Sequence, residues 1–429
     1  MNVNRNLQIG YLMQNGAPEL SATSGPQLHT TAVITGLQKR GNQVRTVAIQ
    51  KPGLGWSDDL QTWHPPQWGI TGRKSYRILE SATRRVQAEL HLPFISMFDS
   101  LRYADACYHL LQGYDILFER HGYLGYGGIL AARRLGIPII IELNGNIVKE
   151  IDEMGVQMSP IQRVLGKWIT YHTLRAANHI VVVAEALKPI VMAHSKIPAE
   201  KISVVLNGTD VELFAQAFSP NNVRAQYQMN HGPTVAFVGA FLPWHGVDLL
   251  ITSFGQVQAR LPQAQLVLIG DGPERSAAIA QIEAMGLQNN VNLLGRLPQI
   301  EVAALLSVVD VAVAPYPFLH ADIIGTPLKL IEYMAAGKAI VASTAPIHEI
   351  ITDGVTGLRV APANPAALAD GIVRLLGDDA LRTTLGQHAR QQAQQFSWSH
   401  VVEKLNQIFV TEIGRGNPKS SPLPLASAR

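Results

Sequence analysis

The segment Pro315–Val341 carries the densest chemistry in this 429-residue chain. A run of valines and alanines ending at Ala314 reads as a strand. Thr326-Pro327 then reads as an N-cap residue followed by proline at the first helical position. A helix that starts this way leaves the N–H groups of Leu328 and Lys329 unpaired and presents the positive end of its dipole, which suits an anion such as a diphosphate. Lys329 adds a point charge, and Glu332, one turn on from Leu328, falls on the same face. A capped helix with a solvated lysine and glutamate has the same pattern, so both readings stay open here.

Further candidates follow strands of the first half. Arg120 and His121 come directly after Asp115–Glu119, where the strand ends of a doubly wound sheet meet a ligand. Glu142, Asn144, Glu150 and Glu153 follow the next strand; carboxylates there are usually solvated, but they could face acceptor hydroxyls. His29 lies two turns into a helix and reads as a satisfied histidine at the core edge rather than a base. Gly270-Asp-Gly-Pro273 is a strand-to-helix turn and structural first. No nucleophilic triad, metal cluster or Asp-x-Asp pair emerges, so no metal is expected.

These residues must be held by the elements around them. Short apolar runs alternate with longer helical patterns throughout, as parallel βαβ units do. The first half offers strands at Leu7–Leu12, Gln43–Ile49, Asp115–Phe118, Ile137–Ile141, His179–Val183 and Ile202–Leu206. The second offers Thr234–Val238, Gln265–Ile269, Val291–Leu294, Val309–Val313, Ala339–Val341 and Leu358–Val360. The alternation restarts after Asn207–Asp210, which predicts an α/β chain of two Rossmann-like doubly wound domains facing across a cleft. The expected boundaries are 1–206, 207–398, a C-terminal helix 399–413 crossing back to the first domain, and a disordered tail 414–429. Lys51–Gly72, with Trp56, Trp63 and Trp68, reads as an irregular insertion.

Composition narrows the class. Apolar residues make up 47% and charged residues 16%, which excludes a disordered or fibrous protein. The single cysteine, Cys107, leaves no intrachain disulfide or cysteine-based zinc site and fits a reducing compartment. No apolar run approaches the roughly 18 residues of a membrane span, and the start lacks the apolar stretch of a signal peptide. The expectation is therefore a cytoplasmic protein. Residues 1–205 hold 21 Lys/Arg against 15 Asp/Glu. Five of these basic residues (Arg73, Lys74, Arg77, Arg84 and Arg85) accompany Ile78, Leu79, Ala82, Val86 and Leu90 at helical spacing. An amphipathic helix packed on the sheet is the favoured reading; a peripheral helix on the inner membrane face is the other.

Glu332–Ala342 resembles the donor-site helix of GT-B retaining glycosyltransferases of family 4. Val235–Ala240 with Gly246–Leu250, Leu266–Pro273, Asn207–Asp210, Phe396–Trp398 and the Ser24–His29 loop are similar to other motifs of that family, in the same order. The resemblance spans nearly the whole chain. It implies sugar transfer from a nucleotide-diphospho-sugar, UDP- or GDP-linked, with retention and no required cofactor. The acceptor would be a glycan, lipid-linked or small-molecule hydroxyl, and nucleic acid is not expected. By the same resemblance, Glu332 holds the ribose, Gly25 and Gly270 approach the donor, and the backbone around Arg296 meets the base. Ile324, Gly325, Thr326 and Leu328 line the donor sugar and phosphates. Arg120 stands where a histidine is common, Ile324 where a first glutamate is, and Ala240 and His245 where an Arg and a Lys clasp the diphosphate. These departures motivate two rivals: a non-catalytic transferase-like binding subunit and a GT-B sugar-nucleotide epimerase.

Overall fold

A computed structural model describes residues 6–14, 25–50, 53–89, 97–145, 159–317, 327–343 and 350–416. The chain divides into two compact units, Met1–Leu206 with Val401–Arg429, and Asn207–His400.

Unit 1 is built on β1 (Gln8–Met13), β2 (Gln43–Gln50), β3 (Gly53–Ser57), β4 (Ile116–Arg120), β5 (Ile139–Leu143), β6 (His179–Val182) and β7 (Ile202–Val204). The sheet order is β3-β2-β1-β4-β5-β6-β7, parallel except for β3 against β2. Unit 2 carries β8 (Thr234–Val238), β9 (Gln265–Ile269), β10 (Val291–Gly295), β11 (Val311–Ala314), β12 (Ala339–Ser343) and β13 (Leu358–Val360). Its order is β10-β9-β8-β11-β12-β13, parallel throughout. Runs such as Ile139–Ile141 and Val311–Ala314 are apolar at every position because both faces of a parallel sheet are covered; each of these residues is at most 2% exposed. Both sheets reverse direction beside their first strand, at β1/β4 and at β8/β11, and ligands of doubly wound sheets bind at such points.

The structure departs from the sequence reading in four places. Lys51–Gly72 is not wholly irregular: β3 forms a hairpin on β2, with Trp56 under the Arg45 guanidinium at 4.1 Å. Helix Met97–Leu110 is not among the expected elements; its Ser100 and Asp105 face inward, and Asp105 is buried and accepts hydrogen bonds from Gly69 N, Thr71 N and Thr71 Oγ1. Helix Trp398–Arg415 runs through Gly414 and Arg415, which had read as tail; residues 417–429 lie outside the described part. From Val401 onward this helix packs in unit 1, with Phe409 against Phe118 and Glu403 paired with Arg40.

The fourth departure is helix Lys74–Glu89, which does not pack on its apolar side. Its buried residue is Glu80, ion-paired with Arg84 and Arg102, while Ile78, Leu79 and Val86 are 50–59% exposed. A carboxylate with two guanidinium partners anchors the helix, so the apolar residues are left outward beside Lys74, Arg77 and Arg85. Leu90 lies outside the described residues.

Candidate functional site

In unit 2 the site begins with the glycines that end β8 and β9. Gly239 (φ +148°) and Gly270 (φ +143°) adopt backbone conformations that side chains avoid, and a Cβ on Gly270 would lie 1.8 Å from the Gly239 carbonyl oxygen. A Cβ on Gly239 would in turn lie 2.6 Å from Lys329 Nζ. The glycines therefore let two strand ends close up and leave room for one amine above them.

That amine belongs to the first turn of helix Leu328–Ala335. The helix begins one residue later than the sequence suggested, with Pro327 at the N-cap; Thr326 lies outside the described residues, as do Ile324, Gly325, Glu150 and Glu153. Tyr333 pins the helix to the sheet: its hydroxyl accepts from Val238 N at 2.7 Å. Lys338 donates to the carbonyls of Ser307 and Val309 and so closes the preceding helix. Lys329 is 7% exposed, and its Nζ has no hydrogen-bond partner among the described residues. It sits over the Phe237 ring at 4.3 Å and 5.5 Å from that of Tyr316. Burial pushes its pKa down to about 7, against the opposing pull of Glu332.

His245 adds a second base. Its ring lies 6.2 Å from Tyr316 and 6.4 Å from Phe237, and Nδ1 is bonded to the Ala240 carbonyl. Burial, then the neighbouring Lys329, lower its pKa to about 3, with the Ala240 bond opposing. His245 is therefore neutral near pH 7, and the buried amine of Lys329 at a helix start makes a site that an anion would stabilise. Glu332 is buried beside them and accepts from Gln299 Nε2 at 3.2 Å; burial raises its pKa, while Gln299 and Lys329 oppose that. Leu328 is half-buried, and Ala240 and Arg296 are exposed, Arg296 following Gly295 at the end of β10. The sequence reading missed Gln299 and the Phe237–Tyr316 cage. Gln299 has no local signal, whereas both aromatics sit in quoted segments.

In unit 1, Gly25 is the first residue of helix Gly25–Lys39, following β1. Arg120 and His121 stand at the end of β4. The imidazole of His121 is half-buried with neither nitrogen hydrogen-bonded among the described residues, and burial lowers its pKa to about 4. Glu142 corrects the expectation of a solvated carboxylate open to acceptor hydroxyls. It is 1% exposed, and His29 Nε2 lies 3.0 and 3.1 Å from its two oxygens. Asn144 Nδ2 donates to Oε2 at 2.9 Å, so Asn144 also faces Glu142. His29 is buried, with its Nε2 on Glu142. Among the described residues no group of His, Cys, Asp or Glu is arranged to hold a metal, and no helix is long and apolar enough to cross a membrane.

Two doubly wound units, each with its candidate residues at the strand ends beside the reversal, define the GT-B fold. Comparison with known proteins agrees. Residues 23–213 match the family model for glycosyltransferase family 4, and residues 232–378 match that for glycosyl transferases group 1. The chain is 25% identical over 297 residues to alpha-D-kanosaminyltransferase of Streptomyces kanamyceticus, covering 66% of this chain and 73% of that one. It is 30% identical over 240 residues to a D-inositol 3-phosphate glycosyltransferase of Corynebacterium glutamicum, covering 53% and 55%. Similar solved structures include Anabaena HepE in complex with UDP (TM-score 0.69, 19% identity, 94% of this chain and 100% of that one). Sucrose-phosphate synthase of Thermosynechococcus elongatus is another (TM-score 0.73, 20%, 95% and 100%). At these identities the structures speak for the fold. The chain is a glycosyltransferase of GT-B type.

Proposed function

We propose that the protein moves a sugar from a nucleotide-diphospho-sugar to a hydroxyl acceptor with retention at the anomeric carbon and without a required metal. The observation that carries this is Lys329: a buried amine with no hydrogen-bond partner among the described residues, at a helix start and beside a second base. Such an arrangement is costly unless an anion arrives. In this reading unit 2 holds the donor, with Glu332 on the ribose hydroxyls and Lys329 and the Leu328–Lys329 N–H groups on the diphosphate, which His245 joins by taking up a proton as the anion binds. As the glycosidic bond breaks, negative charge grows on the departing oxygen. Fixed cations stabilise it without reorganisation, and that oxygen takes the acceptor's proton on the same face. Lys329 supplies the positive charge that a divalent ion would otherwise bring. Arg120 of unit 1 is assigned the role of a further cation for the leaving group, and His121 that of an acceptor contact.

HepE was solved with UDP and with UDP-glucose, which favours a UDP-linked donor over a GDP-linked one. The outward Ile78, Leu79 and Val86, with Lys74, Arg77 and Arg85 alongside, favour an anionic membrane surface as a peripheral partner and hence a lipid-linked acceptor. A thermal-shift screen of UDP-, GDP-, ADP- and dTDP-sugars, followed by assays of nucleotide release in excess EDTA, tests the reading. A saturating donor at about 100 Kd adds about 2.7 kcal/mol of stability. Absence of any shift, or activity lost in EDTA and restored by Mg²⁺ or Mn²⁺, would refute the corresponding part.

A further inference from the structure

Arg120 and Glu142 face each other across the parallel ladder at the ends of β4 and β5. Glu142 is almost completely enclosed, and burial by itself would raise its pKa. The charge of His29 above all, then its hydrogen bond, Arg120 and Asn144, instead hold it near 2. The way its oxygens are occupied is informative. His29 Nε2 reaches both of them and Asn144 Nδ2 reaches Oε2, whereas Arg120 Nη1 stays 3.7 Å from Oε2 and makes no hydrogen bond among the described residues. Both carboxylate oxygens are engaged by neutral or titratable donors, and the guanidinium stands 3.7 Å from Oε2. A core that needed only packing would be served at least as well by apolar residues, because enclosing a charged pair rarely adds net stability. His29 comes from the second turn of helix Gly25–Lys39, so the cluster also ties Arg120 to the helix that starts after β1.

We infer that His29 and Glu142 are positioning residues: together they fix the Arg120 guanidinium at the strand end while leaving its hydrogen-bonding capacity for the departing diphosphate. This rests on the transferase reading above. Glu142 supplies the field that orients Arg120. His29 and Asn144 occupy the carboxylate, so that it does not close a bidentate pair with Arg120 and use up the cation. A group misplaced by about 1 Å costs up to about 100-fold in turnover.

The test compares His29→Ala, His29→Gln, Glu142→Gln and Arg120→Ala with the double variants His29→Ala/Arg120→Ala and Glu142→Gln/Arg120→Ala. UDP binding is followed by thermal shift, and turnover by UDP release from UDP-glucose or GDP release from GDP-mannose. Expected for His29→Ala and Glu142→Gln is a fall in kcat of roughly 10- to 100-fold with KM little changed and the nucleotide-induced shift retained. His29→Gln, which keeps a donor to Glu142, should recover part of the loss. On the Arg120→Ala background neither change should reduce kcat further. Wild-type kcat in the single variants below their melting temperature, or losses that add to that of Arg120→Ala, would overturn the inference alone. A wild type that binds and turns over neither donor would overturn the transferase reading and this inference with it.

Discussion

At the strand ends of unit 2 the cation has no hydrogen-bonded counter-ion among the described residues, and Glu332 acts on it only through space. Lys329 Nζ is enclosed by Phe237, Tyr316 and the Gly239 backbone, with His245 as a second base nearby. At the corresponding strand end of unit 1 the cation has one ready: Arg120 leans toward Glu142, whose two oxygens His29 and Asn144 already engage. The same topology thus yields opposite electrostatics. The uncompensated end is poised to take up an anion, and the compensated end holds a cation in place. Buried charge left unmatched destabilises the fold and is retained where a ligand completes it.

The most direct way to break this comparison is to remove the unmatched amine. Lys329→Ala should lower kcat by about 10²–10³, the loss typical when one transition-state donor is deleted. The pH dependence is also specific. Burial holds Lys329 near 7, below the ordinary 10.5, so the amine is cationic below pH 7 and loses its proton above it. UDP affinity should therefore be highest below pH 7 and decline above it, whereas the stability of the free protein should rise from pH 7 toward 10.5. Calorimetric titration with UDP at pH 6 and pH 8 measures the first trend. A pH-independent affinity in the wild type would show that Lys329 does not meet the phosphates.

Unit 1 contains its own control. Glu119, also on β4, is fully buried with neither oxygen hydrogen-bonded among the described residues, and burial raises its pKa to about 8. Glu142, one strand over but supplied with donors, moves the opposite way. Because the folded value of Glu119 lies above its ordinary 4.5, stability is full at acid pH and falls as pH rises from about 4.5 to 8, by an amount on the order of a few kcal/mol. Glu119→Gln should flatten that slope in urea melts at pH 5 and pH 8.

Two smaller effects sharpen the contrast. Glu332→Ala removes the carboxylate proposed for the ribose and should weaken donor binding by about 1.5–3 kcal/mol, read as the ratio of UDP dissociation constants. Replacing Ile78, Leu79 and Val86 by Ser should change folding stability by no more than about 0.5 kcal/mol each, since these side chains are already exposed. The same triple change should abolish co-sedimentation with anionic vesicles. Retained binding would place the membrane contact elsewhere.

Much of the architecture was legible because it follows from local periodicity. Unbroken apolar runs require parallel strands covered on both faces, and turns such as Gly270-Asp-Gly-Pro273 mark where strands give way to helices. The helix start at Pro327–Lys329 was legible too, since proline and the following N–H groups act within one turn. Helix Met97–Leu110 was not; its inward Asp105 serves the Gly69–Thr71 backbone, which spacing within the helix does not reveal. The orientation of helix Lys74–Glu89 was not either. Spacing reveals an apolar face but cannot say whether Glu80 will find Arg102 across a gap of 22 residues and turn that face outward.

What the sequence determined by itself is the set of groups at the strand ends, for strand order and turn chemistry bring those residues there whatever their charges. What only the tertiary structure decided is which of them neutralise one another. His29 and Glu142 lie 113 residues apart and meet at 3.0 Å, and Gln299 reaches Glu332 across 33 residues, while Lys329 Nζ meets two aromatic rings and no hydrogen-bond partner among the described residues. The reason is physical. Secondary structure depends on neighbours a few residues away, whereas the charge state of a buried group depends on desolvation and on partners reached through space. Spacing along the chain encodes neither.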